Sequence, residues 1–215
     1  MSPEELAERH PHLYHVTDPE ALPSIMRHGL LPASGLLSLF ETAAGDRPRI
    51  ECARRSSSVV LSHPIHGCAT INDNLPLSVA ALSACLDDKL TPRDWLRLLN
   101  RRVFFWADEE GLSRLLGARL NRDRERVVLV LDTLSVARQC FEHVELSPIN
   151  SGATLRRPAR RGLSTFASMR LHSYEGWRRL RGRRDRVLEV TVLRGVTDVA
   201  RHLVEVRHVT GGTAR

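Results

Sequence analysis

The sequence predicts an α+β fold in a single domain, residues 1–215. Short β-prone apolar runs and amphipathic helical segments are mixed along the chain, without the regular βαβ alternation of a doubly wound sheet. A chain of 215 residues is long enough for one well-buried domain, and its 42% hydrophobic and 27% charged residues are typical of globular proteins. We find no linker that separates two domains.

The first predicted unit is a strand followed by a helix. Residues 13–17 are β-prone, and residues 18–29 have the apolar spacing of a helix. Thr17 or Asp18 is expected to cap the start of this helix, and Gly29 is expected to end it in a left-handed conformation.

The middle of the chain contains predicted helices around one apolar strand. Apolar spacing predicts a helix over residues 77–88, and Thr91 with Asp94 has the pattern of a capping box for the next helix. Residues 103–106 predict a buried strand, and Asp108 is expected to cap the helix that follows.

Four further apolar runs predict strands in the second half of the chain. They cover residues 127–131, 144–146, 187–193 and 203–209. Residues 147–152, Ser-Pro-Ile-Asn-Ser-Gly, have the composition of a turn.

Several protein classes are excluded by composition. No apolar run approaches the roughly 20 residues of a membrane-spanning helix, and the acidic N-terminal segment does not resemble a signal peptide. Four cysteines without CxxC spacing favour reduced thiols and a cytoplasmic location. No metal site is expected, because His63, His66 and Cys68 lack a fourth ligand at suitable spacing.

The positive charge of the chain is concentrated in one segment. The formal net charge is +7, and all but one of the 32 basic residues are arginine. Residues 156–186 hold eleven arginines and two acidic residues, whereas the rest of the chain is slightly acidic. This segment is suited to contact with a polyanion, and a solvated basic loop is the alternative.

Two polar residues are candidates for a functional site. Glu189 lies within a run of Val and Leu, where burial of a carboxylate is costly unless another group compensates it. The alternative is a half-exposed strand on which Glu189 points outward. His15 lies near the end of the first predicted strand, although a single histidine is often only a satisfied structural group.

Three segments resemble motifs of the ADP-ribosyltransferase superfamily, in the H-Y-E branch that includes diphtheria toxin and the PARP enzymes. Residues 13–30 resemble the first motif, a strand with His followed by a helix ending in Gly-Leu. Residues 103–108 resemble the second motif, and residues 188–199 resemble the closing strand that carries the catalytic Glu, as in DarT-type DNA-modifying enzymes. The chain is also similar to an uncharacterised bacterial family with a VFFW strand and an SPxNSGAT turn.

This resemblance implies a split, mixed β-core with flanking helices that binds NAD as a consumed substrate. His15 and Glu189 would be the catalytic residues, with Glu189 at the ribose hydroxyl beside the scissile bond, where it would stabilise the ribosyl cation. The remaining NAD contacts would come from the backbone of Val16 and Thr17, the aromatic residues Phe104, Phe105 and Trp106, and the candidate phosphate ligands Arg47 and Arg49.

The resemblance also places an acceptor loop at about residues 172–186. A nucleic-acid acceptor, DNA or RNA, is favoured over protein, with contacts from Tyr174, Trp177, Arg178, Arg179, Arg181, Arg183 and Arg184. Alternatively, Trp177 anchors the core. Two other functions stay open: an RNA 2′-phosphotransferase-like enzyme and an inactive nucleic-acid-binding module. A toxin-like protein with an antitoxin or hydrolase partner is a further expectation.

Overall fold

A seven-stranded sheet runs through the centre of the molecule. The computed structural model describes residues 1–119, 121, 123–181 and 186–210, without the side chain of residue 181. Within these residues the strands are β1 (His12–Thr17), β2 (Val59–His63), β3 (Gly67–Ile71), β4 (Arg102–Trp106), β5 (Arg126–Asp132), β6 (Val144–Ser147), β7 (Ala167–Ser168), β8 (Glu189–Leu193) and β9 (Leu203–Val209). The α-helices are α1 (Pro3–Arg9), α2 (Leu22–His28), α3 (Ala33–Leu39), α4 (Arg47–Glu51), α5 (Val79–Cys85), α6 (Pro92–Leu99), α7 (Glu109–Leu116), α8 (Thr133–Gln139), α9 (Tyr174–Arg181) and α10 (Val199–His202).

The strand order of the large sheet is β7-β6-β8-β4-β1-β5-β9, and β2 and β3 form a separate hairpin. The α+β fold in one domain is therefore confirmed. A mixed sheet was expected, whereas each strand ladder among the described residues is antiparallel. The apolar pattern of a short strand does not encode the direction of its partner, so the sequence could not distinguish these two cases.

The sheet opens between its two central strands. β1 pairs with β5 along its whole length, but it shares only one residue pair with β4, Tyr14 opposite Trp106. Beyond that pair, towards Thr17 on β1 and Arg102 on β4, the two antiparallel strands have no further register partners in the described structure. The sheet is therefore split between β1 and β4.

The two faces of the sheet are covered differently. One face carries the largest apolar cluster, which includes Phe105, Val190 and the side chain of Trp177 from α9. The opposite face carries two smaller clusters, one around Trp95 of α6 and one around Leu112 of α7. A gap between two clusters on one face leaves room for a cleft.

The segment that follows β1 differs from the prediction at its start and closely approaches another part of the chain at its end. Asp18 makes no side-chain capping bond to the short 3-10 helix that follows β1, because its carboxylate forms an ion pair with Arg126. Gly29 ends α2 with a positive φ of 84°, as expected, but its ψ of 178° is extended and differs from the left-handed helical cap that the sequence predicted. A Cβ there would lie 2.4 Å from the Val196 carbonyl oxygen. This close approach carries the bridge between Leu30 and Val196.

Most of the predicted elements are present. The capping box of Thr91 and Asp94 begins α6, and Asp108 caps α7 through the Gly111 N–H at 2.6 Å. The strands predicted over residues 127–131, 144–146 and 203–209 correspond to β5, β6 and β9. Two helices within residues 33–51 were not predicted, and the segment expected to be a basic loop contains helix α9.

Candidate functional site

A cleft of about 370 Å³ opens where β1 diverges from β4. Its walls include residues 14–17 of β1, residues 102–106 of β4, residues 69–74 at the end of the hairpin, and residues 150–153. Glu189, at the start of β8, completes the wall. A cleft of this volume is within the usual range of small-molecule sites.

Glu189 is a buried carboxylate in this wall. It lies opposite Trp106 on β4 and Ser147 on β6, and only 5% of its surface is exposed. The half-exposed strand is therefore wrong as an alternative, because α6 and α7 cover the face on which Glu189 lies. Burial raises the pKa of Glu189 to about 7, while contacts with Ser151 and the charge of Arg161 oppose the shift.

The turn at residues 147–152 holds this carboxylate. The N–H of Ser151 is shared between the two carboxylate oxygens of Glu189, at 3.2 Å each. The residues just after this turn are bound to the start of α5, since the Ser78 N–H donates to Thr154 Oγ1 at 2.7 Å. The sequence predicted the turn, but not that its backbone would serve a carboxylate from a distant strand.

His15 lies in the same cleft wall, on the other side of the split. Its Nδ1 is 2.9 Å from the Phe104 carbonyl oxygen, which can only accept, so Nδ1 carries a proton. Burial lowers the pKa of His15 below its usual value, which favours the neutral ring. The second nitrogen, Nε2, is then a hydrogen-bond acceptor.

The three aromatic residues of β4 divide between the two faces of the sheet. Phe104 and Trp106 are partly buried and lie on the face of Glu189, because they pair with Thr191 and Glu189. Phe105 points to the other face, is 1% exposed, and has its ring centroid 5.7 Å from that of His15. Phe104 and Trp106 are therefore the rings available on the carboxylate side, a choice that the sequence had left open.

The predicted phosphate ligands lie elsewhere. Arg47 donates to the Thr42 carbonyl and to Ser38 Oγ, Arg49 is exposed, and neither contributes to the cleft wall. Arg55 and Arg102 line the cleft instead. Arg102 is neutralised by a bidentate pair with Glu145, whereas the described structure places no carboxylate within ion-pair distance of Arg55.

The predicted acceptor residues that the structure describes lie on the far side of the sheet from Glu189. Trp177 is fully buried in the cluster that contains Val190, so it anchors α9 in the core and cannot stack on a base. Tyr174 is partly buried against the same cluster, Arg178 pairs with Glu175, and Arg179 is exposed. The Arg181 side chain, Arg183 and Arg184 are outside the described residues.

Three histidine rings lie close together where the β2–β3 hairpin contacts α2. The rings of His63 and His66 stack with centroids 4.5 Å apart, and His66 Nδ1 is 3.3 Å from Nε2 of His28 on α2. Among the described residues, no group of three or more His, Cys, Asp or Glu side chains is arranged to hold a metal ion. The four cysteines carry free thiols.

The fold and the cleft define an α+β protein with a buried carboxylate and a neutral histidine on opposite sides of a split sheet. The chain belongs to the DUF7002 family, described as a family of unknown function, whose model matches residues 11–203. No curated protein matches the chain. None of the helices in the described part of the chain is long and apolar enough to cross a membrane.

Proposed function

We propose that this protein is an NAD-dependent ADP-ribosyltransferase whose substrate binds in the cleft between His15 and Glu189. The observation that carries the proposal is the placement of the three motif segments on neighbouring strands. β1, β4 and β8 are adjacent, and the cleft is lined by His15 from the first and Glu189 from the last. These residues are 174 positions apart in the chain, and the fold brings both of them to one cleft.

The chemistry requires an anion at the position of Glu189. Cleavage of the nicotinamide–ribose bond develops positive charge on the sugar, and a fixed carboxylate in a site that excludes water stabilises that charge in the transition state. A pKa of about 7 leaves roughly half of Glu189 ionised at neutral pH. The rate is therefore expected to rise with pH through this region.

The other contacts are assigned by position in the cleft. Nε2 of neutral His15 would accept a hydrogen bond from a ribose hydroxyl, and Phe104 or Trp106 would pack against the nicotinamide. Arg55, which lines the cleft and forms no ion pair in the described structure although Asp73 lies near it, would replace Arg47 and Arg49 as the group near the phosphates. NAD is consumed in this reaction, so no permanently bound cofactor is required.

A nucleic acid is the proposed acceptor, and its contact surface differs from the one that the sequence suggested. α9 lies across the sheet from Glu189, whereas the exposed pair Arg156 and Arg157 follows the cleft-wall residues 150–153 with two residues between. Arginines at the edge of a cleft can neutralise phosphates of a strand whose base or sugar enters it.

The test is transfer of label from NAD by the wild type, Glu189→Gln and Glu205→Gln. Glu205 is a control on the same sheet, since its carboxylate is exposed, pairs with Arg207 on β9, and does not line the cleft. Each protein receives total RNA, single-stranded DNA or lysate protein in separate reactions. We expect labelled nucleic acid with the wild type and Glu205→Gln, and a loss of about 10²–10³-fold with Glu189→Gln.

The other outcomes distinguish the alternatives. Equal transfer by wild type and Glu189→Gln would contradict the role of the carboxylate. NAD consumption that is equal in both proteins, requires RNA and leaves no label on the RNA would favour a phosphotransferase-type reaction, because there the phosphate moves from the RNA to the ADP-ribose. Tight, salt-dependent nucleic-acid binding with no NAD consumption would replace the enzyme by a binding module.

A further inference from the structure

Ser151 hydrogen-bonds the Glu189 carboxylate, and two buried side chains in turn hydrogen-bond Ser151. The Ser151 N–H faces the Glu189 carboxylate, and the Ser151 carbonyl accepts two buried hydrogen bonds. One comes from Trp95 Nε1 at 3.3 Å and the other from Arg161 Nη1 at 3.0 Å. The backbone of Ser151 therefore separates a buried anion from a buried cation.

Arg161 is unusual among the arginines of the basic segment. It is 2% exposed, and no carboxylate of the described residues lies within ion-pair distance of its guanidinium. Its side chain donates instead to the carbonyl oxygens of Ser151 and Ala159, and the Cys85 side chain also lies against it. A buried charge without a direct partner is costly, so a second charge nearby must compensate it.

Backbone hydrogen bonds fix the position of this arginine. The backbone N–H of Arg161 donates to the Cys85 carbonyl at 2.9 Å, and its backbone carbonyl accepts from the Asp87 N–H at 2.8 Å. These bonds tie residue 161 to the end of α5. Because Trp95, the second donor to Ser151, is itself fully buried, the Ser151 carbonyl is attached to a rigid part of the structure.

We propose that Arg161 is a positioning residue for Glu189, which fixes the Ser151 backbone and supplies the positive charge that balances the buried carboxylate. The inference rests on the proposed function, in which Glu189 acts as an anion. Its consequence is that the ionised form of Glu189 depends on a residue that never contacts the substrate.

The chain offers a matched control at the neighbouring position. Arg160 is exposed and pairs with Asp87, so its removal changes the net charge by the same amount without affecting the cleft. Trp95→Phe is a second control, because it removes one hydrogen bond to Ser151 and leaves the charge unchanged.

The experiment follows the ionisation of Glu189 directly, by NMR of ¹³C-labelled glutamate carboxyl groups between pH 4 and 9. The Glu189 signal is assigned from its absence in Glu189→Gln. In Arg161→Met we expect its midpoint to move upward by about one unit or more, which means at least about tenfold less carboxylate at a given pH below the midpoint. Arg160→Met, Arg161→Lys and Trp95→Phe are expected to keep the midpoint near that of the wild type.

An unchanged midpoint in folded Arg161→Met would overturn the proposal. If that variant does not fold, the wild-type protein decides the question through the Arg161 Nε–H signal, assigned from Arg161→Lys. This signal is expected to shift with the same midpoint as Glu189 and to lose that transition in Glu189→Gln. A signal insensitive to Glu189 would contradict the inference.

The titration also separates this inference from the proposed function. Should the wild type fail to consume NAD while the Glu189 midpoint still depends on Arg161, the proposed reaction is wrong and the role of Arg161 stands. Where NAD is consumed, the pH profile of nicotinamide release should move upward in Arg161→Met in parallel with the NMR midpoint.

Discussion

The two faces of the central sheet bury different kinds of groups. The face under α8, α9 and α10 is a continuous apolar core that includes Trp177 and Val190. The opposite face is divided between two smaller clusters, and the gap between them holds a carboxylate, Glu189, with a buried arginine behind it. The comparison indicates that the first face stabilises the fold, whereas the second gives up apolar burial for a charged site.

The largest expected effect concerns the apolar face. Trp177→Ala should lower the free energy of unfolding by about 3–5 kcal/mol, because it removes a fully buried aromatic side chain. Trp177→Phe should lower it much less, since the indole N–H has no hydrogen-bond partner in the described structure. Urea denaturation measures both values. A loss of under about 1 kcal/mol in Trp177→Ala would place the ring at the surface and restore it as a candidate for base stacking.

The second largest effect concerns the contribution of Glu189 to the free energy of unfolding. This contribution should fall as pH rises, whereas that of a carboxylate with a lowered pKa rises with pH. Between pH 4.5 and about 7, folded Glu189 keeps a proton that the unfolded chain has released, so its contribution to stability falls as pH rises and then levels off. Relative to Glu189→Gln, the wild type should lose about 3 kcal/mol across this range. Denaturation of both proteins at pH 5 and pH 8 tests this, and a pH-independent difference between them would contradict it.

A smaller effect on stability is expected at the end of α2, where Gly29 closely approaches Val196. Gly29→Ala should cost more than about 1 kcal/mol, because alanine disfavours the positive φ and its Cβ would clash with the Val196 carbonyl. Gly45→Ala is the control, since a Cβ there meets no atom within 4 Å. Thermal denaturation compares the two, and equal stabilities would show that the bridge between Leu30 and Val196 can move to accept a side chain.

The smallest effect is expected on the outer surface of the apolar face. Arg178→Ala and Arg179→Ala should change the free energy of unfolding by no more than about 0.5 kcal/mol each and should leave NAD consumption unaltered. The reason is that α9 packs on the face opposite Glu189 and contributes no residue to the cleft wall. A tenfold loss of NAD consumption in either variant would place α9 in the catalytic site.

The sequence predicted the elements that bury apolar side chains and one half of the site. β1, β4, β5 and β9 follow from local apolar patterns, and Glu189 was a candidate because a carboxylate within an apolar strand requires compensation. The compensating groups were not predictable, because Ser151 contributes a backbone N–H, which any non-proline residue possesses. Arg161 and Arg178 belong to the same basic segment of the sequence, and only the tertiary structure places one inside and the other outside.

Long-range contacts also explain why Arg55 lines the cleft while Arg47 and Arg49 do not. Arg47, Arg49 and Arg55 are close together in the chain, in a stretch without clear periodicity, so a local pattern cannot indicate which of them faces the cleft. The choice is made by long-range contacts, since Arg55 donates to the Asn72 carbonyl and to Asn100 Oδ1 and so lies against the cleft.

A crystal structure of Glu189→Gln with NAD, in which the scissile bond should survive, tests most directly whether NAD binds between His15 and residue 189. We predict density for the dinucleotide in the cleft between β1 and β4, with the nicotinamide ribose between His15 and residue 189. An empty cleft in crystals of a protein that consumes NAD in its wild-type form, or NAD bound against α9, would contradict the account.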